Sequence, residues 1–570
     1  MYVLTCLTSI PLCSGEVLER VDAPIQEEKS PINKLHILYL LQSREWHKSI
    51  DLYREYQAQL GRHDFEVLQE MALIILEQGA KSRDPEEQLT SIFGSKIAGI
   101  NASIDVLESA VMSSHPQTQL AAIQLLGSLQ DDRCEELLTK AMSSDYFYTR
   151  MDAAYQLAMR KSRVAVGQIE SLMYRVPPYM RFFFPQFFAL IGTTDAMSLL
   201  RMLMDDNHHA TRIESILSAA RFGRDDLLPL IRRRASHLNI AEQEACATAF
   251  GLLKDSKAIP QLQKLSHSPS DNVKLAALRS LHLLGNQQAK KEIASLAEKE
   301  NLFAISALGD IPGSEGTLFP LISHENRQVR FNAVVALLKR RDPRVTRSLK
   351  EFLVRDSRDL GYQPQFSVGN SLMAWKVIPS ALQHHNREEG SDLITLTVHV
   401  KEFLLKECLE LPQHNFLEIA SYLFETRQND LVPTLISLIE NLNTPEAIRF
   451  LELKAQSAGA PLVRLYCNLG LLRMNPGSEQ EKVVLDWISA KQQTEMIRFR
   501  QLLPRAARLQ EMGTTYELTP EEHSRLLIEC YQTLALKHDQ TSINILLEGL
   551  QNGHPKNRPV LAGLLIQAIQ

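Results

Sequence analysis

The sequence predicts an all-α protein, a right-handed superhelical solenoid built from antiparallel helix pairs. Three observations predict it: apolar residues recur at helical spacing, the pattern repeats with a period of thirty-one, and the chain contains no convincing strand hairpin. The composition agrees, because 44% of the 570 residues are hydrophobic but only 6% are aromatic, and straight-chain side chains lose little freedom in a helix. One helix pair cannot bury its own apolar stripe, so neighbouring pairs must stack on a shared core.

The repeat is most regular in residues 102–356. With Arg150 as the phase marker, steps of one period give Gln119, Arg150, Arg181, Arg212, Gln243 and Lys274, and the phase resumes at Arg330 after a shortened unit. Nineteen residues after each marker the sequence has only Leu or Ile: Leu138, Ile169, Leu200, Ile231, Leu262, Ile293 and Leu349. Positions four and seven after each marker are mostly apolar too, which places them on one helical face. Each unit therefore predicts a helix, a short turn and a second helix.

The predicted turns often carry glycine, which tolerates the left-handed conformation at the end of a helix. These glycines are Gly127, Gly192, Gly223, Gly251 and Gly285. The helix starts share a hydroxyl or aliphatic residue followed by a basic one, as in Thr149-Arg150, Val273-Lys274 and Val329-Arg330. This pattern resembles the HEAT-repeat family, in particular the short HEAT-like repeats of phycobilisome lyases. The resemblance implies a stacked helical fold, and it implies little about function because binding sites are placed on repeat scaffolds individually.

The flanking regions are predicted to be helical as well. Residues 32–101 predict a helical cap, within which Glu45–Tyr56 resembles the second helix of a tetratricopeptide unit. Glycine and proline interrupt the phase in residues 357–392, which predicts an irregular insertion between two arrays. Residues 393–570 then predict degenerate helical repeats.

Residues 1–15 are apolar and carry the small residues Cys13 and Gly15 where a signal peptidase would cut, although no basic residue precedes Arg20. A signal peptide at 1–15 with a flexible linker at 16–31 would make the protein exported or periplasmic, and otherwise we expect it to be cytoplasmic. No later uncharged apolar run reaches transmembrane length.

The sequence predicts a protein without catalytic chemistry, metal or cofactor. The spacings GxxxxGK[ST], GxGxxG, HExxH and GxSxG, which hold phosphates, zinc or a nucleophile, do not occur. Deoxyhypusine hydroxylase-like proteins, which use a related repeat, place His-Glu pairs directly after the helix start to hold two irons. The corresponding positions here are Met151-Asp152, Ile213-Glu214, Leu275-Ala276 and Phe331-Asn332.

Two groups of residues are candidates for binding a partner. The first is a basic row, one residue per unit, formed by Arg150, Arg181, Arg212, Lys274 and Arg330. It predicts either a ladder for phosphates or acidic peptides, or structural links to acids that precede the markers, namely Asp145, Asp206, Asp271 and Glu325. The second is an aromatic cluster that includes Tyr179, Phe183 and Phe187, which predicts either a peptide groove or core packing.

The leading functional interpretation is a non-enzymatic scaffold for protein–protein interaction, with a protein partner of unknown identity. One alternative is a nucleic-acid or polyanion binder that uses the basic row; the net charge of −5 disfavours it. The other alternative is an enzyme with a scattered, lyase-like site, which rests on fold analogy alone.

Overall fold

The structure is a computed structural model that describes residues 32–99, 104–237, 239–354, 401–426, 428, 431–497 and 520–570. Every regular element in these ranges is a helix and none is a strand, so the predicted all-α fold class is confirmed. The predicted signal peptide 1–15, the linker 16–31 and the insertion 357–392 lie outside the described residues.

The chain divides into two compact units, Met1–Arg62 and His63–Gln570. The first contains helices α1 (Lys34–Gln42) and α2 (Trp46–Leu60). Ser49 of α2 donates a hydrogen bond of 2.8 Å from Oγ to the backbone oxygen of Ile37 in α1, and Tyr53 is fully buried. Ser49 and Tyr53 belong to the tetratricopeptide-like segment Glu45–Tyr56. The boundary after Arg62 falls inside the range 32–101 that the sequence predicts as one cap.

The second unit begins with α3 (Phe65–Ala80) and α4 (Pro85–Ala98), followed by a succession of helix pairs. The helices that follow in chain order are α5 (Ile104–Val111), α6 (Pro116–Ser128), α7 (Arg133–Ala141), α8 (Phe147–Met159), α9 (Val166–Arg175), α10 (Pro185–Ile191), α11 (Thr194–Met204), α12 (His209–Arg221), α13 (Leu228–Arg234), α14 (Ile240–Leu252), α15 (Ile259–Leu265), α16 (Asp271–Leu283), α17 (Gln287–Glu298), α18 (Leu302–Leu308), α19 (Glu315–Leu321), α20 (Arg327–Lys339) and α21 (Thr346–Val354). Short 3₁₀ turns precede several of them, the longest at Pro178–Phe183 before α10.

The period of the sequence is also the period of the helices. The first helices of successive pairs, or the 3₁₀ turn that leads into α10, begin one period apart at Pro116, Phe147, Pro178, His209, Ile240, Asp271 and Leu302. The shortened unit is therefore the one that starts at Leu302, since α20 begins at Arg327. All seven Leu and Ile residues of the column predicted nineteen positions after the marker have 0% exposure. The helix pairs bury their shared stripe as the spacing predicts.

Polar residues define where many of these helices begin. Asn239, Asn286, Asn301 and Asn326 precede α14, α17, α18 and α20, and each side-chain oxygen accepts a hydrogen bond from a backbone N–H of the first turn. Such caps satisfy donors that have no partner within the helix.

The glycines have two different roles. Gly192, Gly223 and Gly285 have φ of 68°, 66° and 97°, the left-handed conformation predicted for helix ends. Gly127 and Gly251 lie inside α6 and α14, where the prediction of a turn was wrong. A Cβ at Gly251 would lie 2.9 Å from the Cα of Ser280 in α16, so this glycine permits close packing between first helices.

The chain after residue 400 continues as helices, with a helical segment at 401–408. The helices that follow are α22 (Gln413–Glu425), α23 (Val432–Leu442), α24 (Pro445–Ser457), α25 (Pro461–Met474), α26 (Ser478–Lys491), α27 (Pro520–Ala535), α28 (Gln540–Asn552) and α29 (Arg558–Ile569). Asn415 of α22 donates to Thr346 Oγ1 of α21 over 3.2 Å, which joins the two arrays.

The last helix packs against the beginning of the second unit. α29 contacts both α3 and α4, and Lys556 Nζ lies 2.8 Å from Asp84 Oδ2 at the start of this contact. At its other end, Gln570 Nε2 donates to the backbone oxygen of Ala98 over 2.9 Å. The last helix of the second unit therefore packs against the first two helices of the same unit.

Candidate partner-binding surface

The side chains at the marker positions hold the loops that precede their own helices. Five of them donate a hydrogen bond of 2.6–2.7 Å to the backbone oxygen six residues earlier: Gln119 to Ser113, Arg150 to Ser144, Arg212 to Asp206, Gln243 to His237 and Arg330 to His324. The accepting carbonyls lie two or three residues after the end of the preceding helix, in turns where the backbone has no helical partner. Because glutamine forms the same bond as arginine, this role requires a side-chain donor and not a positive charge.

The acids that precede the markers do not all pair as the structural interpretation expects. Arg150 and Arg330 reach the backbone oxygens of Asp145 and Glu325, at 3.2 and 2.9 Å, and form no ion pair with these carboxylates in the described part of the chain. Asp206 does link neighbouring units, but it lies 3.7 Å from Arg181 of the preceding unit. The carboxylates at these positions are thus available to other units or to solvent.

Arg212 belongs to a buried ionic network. Its Nε lies 3.0 Å from Glu242 Oε1, and Glu242 is only 1% exposed. The other oxygen of Glu242 lies 3.9 Å from Arg234, which also pairs with the exposed Asp205. Two of the row's cations, Arg181 and Arg212, therefore face carboxylates of the same chain, and this partly neutralises the predicted polyanion surface.

The aromatic cluster is divided between core and surface. Phe187, predicted as a candidate contact, is 2% exposed, and Phe184 and Phe188 are fully buried. Phe183 is partly exposed and stacks on Phe182 with 4.2 Å between ring centroids. Phe187 is in contact with a ring of the preceding unit, because its centroid lies 6.2 Å from that of Tyr155.

Exposed tyrosines concentrate around this cluster. Six tyrosines of the described residues are strongly exposed, and all but Tyr39 fall between positions 146 and 179: Tyr146 at 39%, Tyr148 at 65%, Tyr155 at 36%, Tyr174 at 53% and Tyr179 at 66%. Tyr148 and Tyr155 are seven residues apart on α8, hence on one face, and Tyr179 follows Tyr148 by one period of the repeat. We call Tyr148, Tyr155, Tyr179 and Phe183 the aromatic face.

Sequence reasoning singled out Tyr179 and Phe183 but missed Tyr148 and Tyr155. The recurrence of tyrosine after seven residues and again after one full period was the available signal. Met159, 51% exposed, lies four residues after Tyr155 and extends the same face of α8.

Two further features are absent from the described ranges. Their His, Cys, Asp and Glu residues form no group of three or more suited to hold a metal ion. No helix there combines the length and apolar character needed to cross a membrane.

No protein-family model and no curated protein matches the chain. Several solved structures resemble it. The complex of CpcE and CpcF of phycocyanin lyase from a Nostoc species shares 17% identity, with a TM-score of 0.28, over 39% of this chain and 94% of that one. Human deoxyhypusine hydroxylase in complex with glycerol shares 17% identity, with a TM-score of 0.21, over 43% and 98%.

Yeast importin-beta shares 11% identity, with a TM-score of 0.34, over 91% of this chain and 80% of that one. These TM-scores are low, so the fold of this protein rests on its own helices, which form stacked pairs that recur with a period of thirty-one residues. The chain is a helical-repeat solenoid protein.

Proposed function

We propose that this protein is a non-catalytic scaffold that binds a protein partner through the aromatic face. The observation that carries the proposal is the concentration of five exposed tyrosines between positions 146 and 179. Tyrosine offers a large contact area with a polar end, and tyrosines are enriched where protein interfaces have their strongest contacts. Exposed aromatic surface in contact with water is otherwise unfavourable.

The stacking of the repeats does not account for the rings of Tyr148 and Tyr179, whereas Tyr146, Tyr155 and Tyr174 contact neighbouring units. The column of Leu and Ile residues is completely buried without them. Tyr148 and Tyr179, 65% and 66% exposed, contribute little to the core, so their substitution is expected to leave the fold intact.

Affinity capture from the native cell tests the proposal. The tagged full chain and the double variant Tyr148→Ser, Tyr179→Ser are compared at about 0.15 M salt, where exposed charges are substantially screened. We expect the double variant to lose the partner that the wild type captures. A matched control is Leu252→Ser with Leu283→Ser, which removes exposed apolar side chains at the ends of α14 and α16.

Three outcomes would reject the proposal. Equal capture by wild type and double variant would show that the aromatic face does not bind the partner. Equal losses of the captured partner in the tyrosine and leucine variants would show nonspecific binding to exposed apolar side chains and not a binding site. Recovery of nucleic acid, lost steeply with salt and insensitive to the tyrosines, would favour the polyanion alternative.

A further inference from the structure

A single carboxylate lies within the aromatic face. Asp152 follows Tyr148 by four residues and precedes Tyr155 by three, so all three side chains project from one face of α8. The Asp152 side chain is partly exposed, and its Oδ2 atom is covered and has no hydrogen-bond partner in the described part of the chain. No cation of that part forms an ion pair with it.

The surroundings of Asp152 are otherwise uncharged. On α8 its neighbours along the face are Tyr148, Tyr155 and Met159, and the corresponding position one period later is Phe183. From α6, which packs against α8, the side-chain amide of Gln124 approaches the carboxylate. Burial raises the pKa of Asp152, and the amides of Gln124 and Gln156 offset part of that rise. A carboxylate without an ion pair attracts a cation, because no neighbouring positive charge offsets its own.

We infer that the aromatic face recognises an arginine side chain of its protein partner, with Asp152 as the counter-ion and Tyr148 and Tyr155 as the stacking surfaces. This inference rests on the proposed function and names the chemistry of the partner. A guanidinium group is planar, donates strongly to a carboxylate and lies favourably over an aromatic ring. Because Asp152 Oδ2 is covered, a partner guanidinium can approach only the other oxygen of this carboxylate. One arginine side chain can therefore satisfy the carboxylate and cover a ring at the same time.

The same repeats already place their own guanidinium groups over rings. Arg150 lies 6.0 Å from the ring centroid of Phe147, and Arg181 lies 5.7 Å from that of Tyr174. Both arginines use rings that adjoin the aromatic face. Tyr148 and Tyr155 have no such cation over them among the described residues. Phe147 meets the ring of Tyr148 edge-on and Phe187 lies against that of Tyr155, with centroids 5.8 and 6.2 Å apart, and the remaining 65% and 36% exposure of the two tyrosines is open to a partner.

The test uses the full chain and a fluorescein-labelled peptide of four Gly-Arg repeats, measured by fluorescence anisotropy. A second peptide replaces each arginine with citrulline, which has nearly the same shape without the charge. The variants are Asp152→Asn and, as a control with the same change of charge, Glu136→Gln at an exposed position of α7. Far-UV circular dichroism and melting establish that both variants are folded.

We expect saturable binding of the arginine peptide, weakened roughly tenfold by Asp152→Asn, as for loss of one charge-assisted contact. The citrulline peptide should bind the wild type as weakly as the arginine peptide binds Asp152→Asn, and Glu136→Gln should bind like the wild type. Equal binding by Asp152→Asn and the wild type, or an equal loss in Glu136→Gln, would overturn the inference. If the tyrosine variants still lose the captured partner in that case, the proposed function stands and only the arginine chemistry is wrong.

Discussion

Substitution of Gly563 by alanine tests the contact that joins the last helix to the beginning of the second unit. A Cβ at position 563 in α29 would lie 2.1 Å from the backbone oxygen of Gly94 in α4 and 2.7 Å from its Cα. The reciprocal Cβ at Gly94 would lie 2.2 Å from the backbone oxygen of Pro559. These neighbours are backbone atoms, so no side chain can rotate away, and α29 must move outward to admit a methyl group.

The size of the effect follows from what that movement exposes. α29 buries five large aliphatic side chains to 0–1% exposure: Val560, Leu561, Leu564, Leu565 and Ile566. Overpacking a well-filled core costs about 1–3 kcal/mol, and a backbone clash at this distance belongs at the upper end. Alanine gains about 1 kcal/mol over glycine in a helix, so the expected net loss is about 2 kcal/mol.

Thermal melting and hydrogen exchange measure this loss together. We expect Gly563→Ala to lower the melting temperature and to speed amide exchange in α4 and in α29. The matched control is Gly167→Ala in α9, where an added Cβ would have no neighbour within 4 Å. That variant should melt at or above the wild-type temperature, because only the helix propensity changes.

The contact between α29 and α4 would be refuted by one clear result. If Gly563→Ala and Gly167→Ala melt alike and exchange in α4 is unchanged, Gly563 and Gly94 do not lie against each other in solution. The same conclusion would apply to the ion pair between Asp84 and Lys556 that begins this contact.

Four further predictions concern single positions. Leu200→Asp places a charge at a site with 0% exposure and should cost about 3–5 kcal/mol in thermal unfolding; near-wild-type melting would contradict the core assignment. Arg150→Gln should keep wild-type stability whereas Arg150→Ala loses about 1–3 kcal/mol, since only alanine leaves a loop carbonyl without its donor; equal losses would show that charge matters. Because burial raises the folded-state pKa of Asp152 above its unfolded value, ionisation opposes folding, so Asp152→Asn should melt higher at neutral pH and lose this advantage as the pH falls below about 3.9. Burial raises the thiol pKa to about 12 at three cysteines, and native-state alkylation should be slow there until the chain unfolds, as mass spectrometry would show for Cys246, Cys408 and Cys467.

The repeat was predictable because its signal is local. A residue nineteen positions after Arg150 lies on a known face of a second helix once both helices form, and aliphatic residues there must be buried. Ile169 and Leu200 are accordingly fully buried. The same local logic correctly placed Gly192 at a helix end.

The contact of α29 with α4 was not predictable, because no local sequence pattern around Gly94 indicates which distant segment packs against it. Asp84 and Lys556, which pair there, are 472 residues apart. A glycine that permits close approach also has the same appearance in a sequence as a glycine that ends a helix, and Gly251 was assigned to a turn for that reason.

The candidate site was predicted only in part. Aromatic residues are apolar enough for the core and polar enough for the surface, so residue type alone did not separate buried Phe187 from exposed Tyr148. Arginine poses a similar difficulty. Arginine is a residue type common in binding sites. The hydrogen bond of Arg150 to the loop backbone, however, is one that Gln119 and Gln243 form equally well in their own units.

This equivalence separates features that serve the stack from features that serve something else. A requirement of stacking recurs in unit after unit, as the buried Leu and Ile column does, and as the side-chain donor does whether arginine or glutamine supplies it. The exposed rings of Tyr148 and Tyr179 occupy only two consecutive units, whereas a carboxylate recurs at the position of Asp152 two units later, as the buried Glu214. The stack forms in the other units without the two tyrosines, so its energetics do not require these rings. Their restriction to one place in the array is what a binding site on a repeat scaffold requires, because repeated positions carry the fold and the exceptions carry specificity.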